Sequence, residues 1–457
     1  MESSVGTPTK FDLLPGLVFR KILAYLDDGS LTRFSQACPP SLLILRRGEW
    51  SSEWRRRLNG RQFAWAKCAD SDSYTLRSRF IAAKLWSLRS TTHVKSLLHY
   101  RERFMPWLTV DSDRNLYLSL GNIIERRSLS QLASVGASTN HHRRYRRPPP
   151  KPLARFVGDE SDRWNDVSRF VVDSSSSLMI GGAKIIAGTR GGRLLVFVSA
   201  DHTSSDRANT SGSKGRNKKR QAAVYQPTSQ TMEHSSDVTD VDCRADLILS
   251  ASRDRTVKLY QLQRGEEDGG RAAAEEGTTS SRLSRLKRFL LQDRVCSAKL
   301  SPSLQQMTVG CAAHVPQRSP LSVWDLETGS CCASMGTAAR LGAGVMDLAF
   351  LGDSGHLLAA AGFDSSLKLW DLRASQCAWE WEEPADRGLV CVISDGGTQL
   401  VAGTRQNAVI WIFDTRQTNA LRGYFMDGFN CPVYSLALTT HSIFASTDTR
   451  LLSVGVS

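Results

Sequence analysis

Three arginines recur in like phrases: Arg190 closes AGTR, Arg253 closes SASR, and Arg405 closes a second AGTR. Each stands seven or eight residues before an aromatic side chain, Phe197, Tyr260 and Phe413 in turn. A guanidinium is a planar fork of donors that grips a carboxylate or phosphate through two hydrogen bonds. Held at one height, three such forks make a receptor for an acidic or phosphorylated group. Held apart, each is a solvated turn residue. No competing chemistry is legible: there is no GxSxG, GxxxxGK[ST], HExxH or dinucleotide fingerprint, so no catalytic residues and no cofactor are expected. His141 and His142 lie in a basic run without a carboxylate or thiol neighbour, which argues against a metal site. Cys331 and Cys332 are adjacent, and adjacent strand residues point to opposite faces, which predicts packing rather than a redox pair.

The elements that carry the arginines repeat. In GFDSSLKLWDLR (362–373), Gly362 and Asp364 mark a turn, Leu367 and Leu369 alternate with polar residues, and Trp370-Asp371 closes the run. The same phrase returns with Asp254 and Tyr260, with Trp324-Asp325, and with Phe413-Asp414. Trp324 and Trp370 are 46 residues apart, and Trp370 and Phe413 are 43 apart. A period of about 40–45 residues is that of a four-stranded propeller blade. Weaker copies at 187–198, 115–129 and 431–456 bring the count to seven, anchored near Arg126, Phe197, Tyr260, Trp324, Trp370, Phe413 and Val454.

A mainly β, seven-bladed propeller is therefore expected over 93–457. The aromatic anchors should fill the space between neighbouring blades, while Asp254 and Asp364 fix the turns before them. Only the third blade offers His234, Asp254 and Ser252 for a hydrogen-bonded chain, and there Tyr260 takes the tryptophan's place. The last copy supplies three strands, so an exposed edge remains. HVKSLLHYRER (93–103) alternates suitably and is predicted to pair with 450–456. The three arginines then begin turns between second and third strands, on the face we call the top.

The chain of 457 residues carries 59 Lys and Arg against 45 Asp and Glu, a net +14. Much of the excess sits in inserts near 137–151, 201–222 and 264–282, which are poor in apolar residues and expected to be disordered or looped. Each falls between a third and a fourth strand and should project from the bottom face. KGRNKKR reads as an import signal, a nucleic-acid patch or a solvated basic loop; the last is preferred, and a nucleic-acid partner is not expected. The ten cysteines form no CxxC, and Cys243, Cys296 and Cys391 lie in apolar strand patterns, which points to a reducing compartment, cytoplasmic or nuclear. MESSVGTPTK has no apolar core and no run reaches 18 apolar residues, so neither secretion nor a membrane partner is expected.

Ahead of the repeats, after an N-terminus (1–10) expected to be disordered, the texture is helical. Leu14, Val18, Ile22 and Leu26 recur every four residues on one face, Pro15 suits a first turn, and Ser30 suits the cap of a second helix bearing Leu31 and Phe34. Pro39-Pro40 ends it, and Trp50 and Trp54 share a side of a third helix. Residues 11–58 thus form a small helical domain, joined through a helical linker (59–92). So short a stretch leaves apolar surface for a partner.

Leu14-Pro15, Ile22-Leu23, Tyr25-Leu26-Asp27, Leu31, Cys38 and Trp54 resemble an F-box, and Pro39-Pro40 departs from its pattern. An F-box followed by WD repeats resembles the family of substrate receptors of SCF-type cullin–RING ubiquitin ligases. RERFMPWL (101–108), DRVCSAKLSP (293–302), GAGVMDL (342–348) and AWEWEEP (378–384) are similar to one member in particular. The resemblance implies a non-catalytic adaptor. Leu14, Pro15, Val18, Ile22, Leu26, Leu31 and Phe34 would meet a Skp-type adaptor on its cullin scaffold, and the propeller would hold a protein substrate. An alternative rests on Asp364, Trp370, Asp371 and Arg373, whose spacing resembles the DWD box of receptors that join another cullin through a damaged-DNA-binding adaptor. A non-ligase propeller scaffold is the third.

Overall fold

The structure is a computed structural model that describes residues 16–27, Ser30, Leu31, Phe34, Glu53, 93–100, 102–111, 115–136, 150–158, 165–173, 183–199, 222–264, 281–336, 342–418, 422–439 and 441–455. Seven sheets, antiparallel except for one short pairing on the first, follow one another around a ring. Strand β1 (His93–His99) precedes blade one, which is built from β2 (Leu108–Asp111), β3 (Asn115–Leu120), β4 (Ile123–Ser128) and β5 (Ala154–Val157). Blade two holds β6 (Val167–Asp173), β7 (Ala183–Thr189) and β8 (Arg193–Ser199), then, past a short β9 (Ala223–Tyr225), its outer strand β10 (Ser229–Met232). Blade three is β11 (Val238–Arg244), β12 (Leu247–Ser252), β13 (Thr256–Arg264) and β14 (Ser281–Leu290). Blade four is β15 (Val295–Leu300), β16 (Gln306–Cys311), β17 (Leu321–Asp325) and β18 (Cys331–Met335). Blade five is β19 (Val345–Leu351), β20 (Leu357–Gly362), β21 (Ser366–Asp371) and β22 (Gln376–Glu382). Blade six is β23 (Leu389–Ser394), β24 (Gln399–Thr404), β25 (Val409–Asp414) and β26 (Arg422–Phe425). Blade seven adds β27 (Ser435–Leu438), β28 (Ser442–Ser446) and β29 (Arg450–Gly455).

Strand β1 completes blade seven. It pairs antiparallel with β29, from His93 opposite Gly455 to His99 opposite Arg450, so the outer strand of the last blade comes from before the first. The core is a set of wedges between blades. Tyr260 packs with Ile186, Leu194 and Val196 of blade two, Trp370 with Leu321, Val323 and Met335 of blade four, and Phe413 with Leu367, Leu369 and Trp381 of blade five. Trp324 meets Phe289 edge-on across the gap between blades three and four. The anchors do fill inter-blade space.

The three inserts leave third strands and return to fourth strands, as expected, although 137–149, 200–221 and 265–280 lie outside the described residues. The second returns differently from the sequence reading. Before reaching β10 it lays down β9, which runs parallel to β5 and makes a fifth strand on blade one. Tyr225 stacks on Phe156 there at 4.9 Å with 15° between ring planes. Three residues are too few to show an alternation. A short helix, α2 (Leu129–Gly136), precedes the first insert and buries Leu132 beside Leu97 of β1.

Two further expectations are corrected. Cys331 and Cys332 are both exposed, because β18 is an outermost strand in which only Met335 is buried. Helix α1 (Gly16–Tyr25) is followed by a turn capped by Asp27, not Ser30. The Asp27 carboxylate accepts the Ser30 N–H at 2.6 Å and its carbonyl accepts the Leu31 N–H at 2.8 Å, the pattern of an N-cap residue. Of the third helix and the linker only Glu53 is described. No helix among the described residues is long and apolar enough to cross a membrane.

Candidate interaction surface

The turns between second and third strands are set by short polar side chains. In the Arg190 and Arg405 turns, Thr189 accepts the Arg193 N–H and Thr404 the Val409 N–H, both at 3.1 Å, and aspartates serve in blades three and five. Asp254 accepts the Thr256 N–H at 2.9 Å and hydroxyl at 2.6 Å, and Asp364 does the same for Ser366 at 3.2 and 2.8 Å. In blade three a polar chain continues inward. His234 Nδ1 lies 3.0 Å from Asp254 Oδ2, and its Nε2 lies 2.8 Å from Ser250 Oγ. The serine is Ser250 rather than Ser252, whose hydroxyl instead bonds the Ser236 carbonyl. Both face one side of β12, and period-two spacing does not choose between them. Ser250 also reaches the Tyr260 hydroxyl, which donates to Glu233 at 3.2 Å. Burial holds the His234 pKa below its ordinary 6.5, and Asp254 offsets this only partly.

Strands β6, β11, β15, β19 and β23 each carry a bulge after the first residue. A bulge re-aims the residue that follows it. The third residues are Arg169, Asp240, Ser297, Asp347 and Cys391, and all but Ser297 line a cavity of about 240 Å³ on the ring axis. There Arg169 Nη1 stands 3.0 Å from Asp347 and 3.4 Å from Asp240, while Lys299 Nζ lies 3.0 Å from Asp240. Trp107 covers the Arg169 guanidinium at 3.7 Å. Burial alone would raise the Asp240 pKa, but Lys299 and Arg169 outweigh it and hold the carboxyl below its usual range. The aspartates also tie blades together: Asp240 accepts the Ala298 N–H and Asp347 the Val392 N–H, both at 3.0 Å. Two cations and two carboxylates thus make a charge-balanced ionic plug in this cavity.

Arg190, Arg253 and Arg405 occupy equivalent places. Each begins the turn after its second strand and donates its backbone N–H to the residue before its own blade's inner strand, at 2.9, 3.1 and 2.7 Å. Their side chains differ. Arg190 reaches Met105 Sδ at 2.6 Å, Arg253 stands 3.4 Å from Asp237, and Arg405 lies over the Phe363 ring at 5.1 Å. The arginines of the DWD-like phrases turn back on their own strands. Arg373 forks onto Asp371 at 3.1 and 3.3 Å, and Arg416 onto Asp414 at 2.8 and 3.0 Å. Asp325 likewise caps its own turn through Thr328.

In the helical segment, Leu14 and Pro15 lie outside the described residues, and Val18 is placed on α1 without its side chain. Phe19, Leu23 and Leu31 are fully buried, with Phe34 packed on Phe19 at 6.5 Å. Ile22 and Leu26 are only half-buried. The predicted stripe is therefore offset from the buried one, and Phe19 and Leu23, which sequence periodicity did not single out as core, fill the interior.

The model of the WD domain, G-beta repeat, matches residues 226–261 and 331–371. Each match starts in the outer strand of one blade and runs through three strands of the next. The human F-box/WD repeat-containing protein 4 is 28% identical over 96% of this chain and 91% of its own length. The mouse protein of that name is 27% identical over the same shares. A span of that size cannot leave out either the helical segment or the ring as a whole, and the phrases singled out above are consistent with the dactylin-type member. The chain is a seven-bladed WD-repeat propeller whose likeness, over nearly its whole length, is to F-box/WD repeat-containing proteins.

Proposed function

We propose that the chain is the substrate-recognition subunit of an SCF-type cullin–RING ubiquitin ligase and makes or breaks no bond itself. The observation that carries this is likeness across 96% of the chain, which takes in the helical segment as well as the ring. The half-buried stripe of Ile22 and Leu26, continued by Leu14, Pro15 and Val18 in sequence, is the adaptor contact, with Leu31 and Phe34 supporting it from behind. An apolar helix face laid in a groove is a common mode of such docking. The ring holds a protein substrate on its top face, the face on which Arg190, Arg253 and Arg405 begin their turns, and raises its effective concentration beside the ubiquitin-charged enzyme.

Leu14→Ala with Ile22→Ala is expected to abolish co-purification of a Skp-type adaptor and its cullin while the propeller's melting is unchanged, since central anchors cost about 2 kcal/mol or more each. Retention of the adaptor by the double variant would refute the assignment. The same immunoprecipitation names the cullin, and recovery of the damaged-DNA-binding adaptor instead would favour the DWD-like alternative.

A further inference from the structure

The top face is not uniform around the ring. Over blades five to seven, three phenylalanines stand open: Phe363 is 36%, Phe425 66% and Phe429 62% exposed. Each lies beneath a guanidinium, Arg405 over Phe363 at 5.1 Å, Arg387 over Phe425 at 5.7 Å and Arg450 over Phe429 at 5.3 Å. All six belong to second-to-third-strand turns, to links between blades, or to a strand end beside them, so they share one face. They are also continuous. A Cβ at Gly388, next to Arg387, would stand 3.1 Å from Phe363, and the Gly388 carbonyl accepts the Arg405 N–H at 2.7 Å. Phe425 and Phe429 bracket the short link from blade six into blade seven.

The charges on this arc are mostly spent. Arg387 is paired with buried Glu383 at 2.9 Å, and Arg450 with buried Asp427 at 3.2 Å. Arg405 has no carboxylate partner among the described residues. The arc thus offers three pinned apolar rings and one free guanidinium. A stacked cation fixes a ring's orientation, and fixed rings lose little entropy when a ligand lands on them. A ligand that was only anionic would use one group of the six and leave the rings wet. An extended peptide with bulky apolar side chains flanking a single acidic residue would use them all.

We propose that this arc is the substrate-reading site and that its ligand is an apolar-anchored acidic peptide segment. This rests on the ring being a substrate receptor. The test pans the full-length chain, co-expressed with a Skp-type adaptor, against a phage-displayed random-peptide library, then measures the enriched peptide by fluorescence anisotropy. Enriched sequences are expected to set aromatic, Leu or Met residues beside one Asp or Glu. Phe425→Ala and Phe429→Ala should each weaken the peptide about ten-fold or more, as central aromatic anchors do. Arg405→Glu should weaken it further, and Leu286→Ala, on the outer strand of blade three, should change nothing. A phosphoserine replacing the acid separates phosphate from carboxylate as the preferred anion. Binding that survives both phenylalanine variants, or no enrichment from the library, overturns the site. Adaptor co-purification is read on each variant, so peptide binding without an adaptor would sink the ligase reading and leave the site standing.

Discussion

In blade three, Tyr260 ends a polar chain that runs from Asp254 through His234 to Ser250. In blade five, Trp370 fills the same place in the repeat packed on Leu321, Val323 and Met335, and its Nε1 has no acceptor among the described residues. One slot, then, is held by two kinds of force. Hydrogen bonds are directional and respond to protonation, whereas packing responds to volume and shape. The blades should therefore fail under different insults.

The largest expected effect is on the packed side. Trp370→Ala should cost about 3–5 kcal/mol, as aromatic truncations in a core do, measured by urea denaturation. A loss below about 1 kcal/mol would mean that blade five collapses around the gap and that packing is not what holds it. Next comes the polar chain. His234→Gln should cost about 1–3 kcal/mol by leaving Asp254 or Ser250 without a partner. It should also change the pH response. The unfolded histidine takes up a proton near pH 6.5 while the buried native ring resists it, so stability falls as pH drops below about 6.5. The wild type should lose stability between pH 7.5 and 5.5, and the variant should lose less over that window. Identical pH profiles would remove His234 from the contrast. The smallest effect belongs to Tyr260→Phe, about 1 kcal/mol for one hydroxyl. A cost as large as that of Trp370→Ala would erase the distinction between the blades.

The ring was legible because its unit is long and punctuated: an aspartate turn, an alternating strand and an aromatic recur at blade spacing. The closing strand was legible too, since blade seven lacked a fourth strand, although the alternation expected of 93–103 is broken by a register shift after Ser96 that leaves adjacent Leu97 and Leu98 both buried. The ionic plug was not anticipated, although its signal is present. Arg169, Asp240 and Asp347 each stand two residues after the valine that opens an inner strand, and a charge there is costly unless its partners sit on other blades. Those partners are as far as 178 residues away, beyond what local spacing can reveal. The aromatic arc escaped for the opposite reason. Phe363, Phe425 and Phe429 follow no period, and only the meeting of three blades makes them neighbours. Equivalent turns made Arg190, Arg253 and Arg405 stand out in sequence, while their different side-chain partners came only with the fold.

The pairing of β1 with β29 also sets a timetable. During synthesis β1 emerges first among the strands and its partner last, so at about 5–20 residues per second roughly 20–70 s separate them on the ribosome. Through that interval the helical segment just upstream is already out of the tunnel, and six blades can form behind it, but the circle stays open. Every copy passes through a stage with an unpaired strand at each end of the array. Two nascent copies on one message could exchange those ends, which makes closure the step at which this protein is most exposed to error.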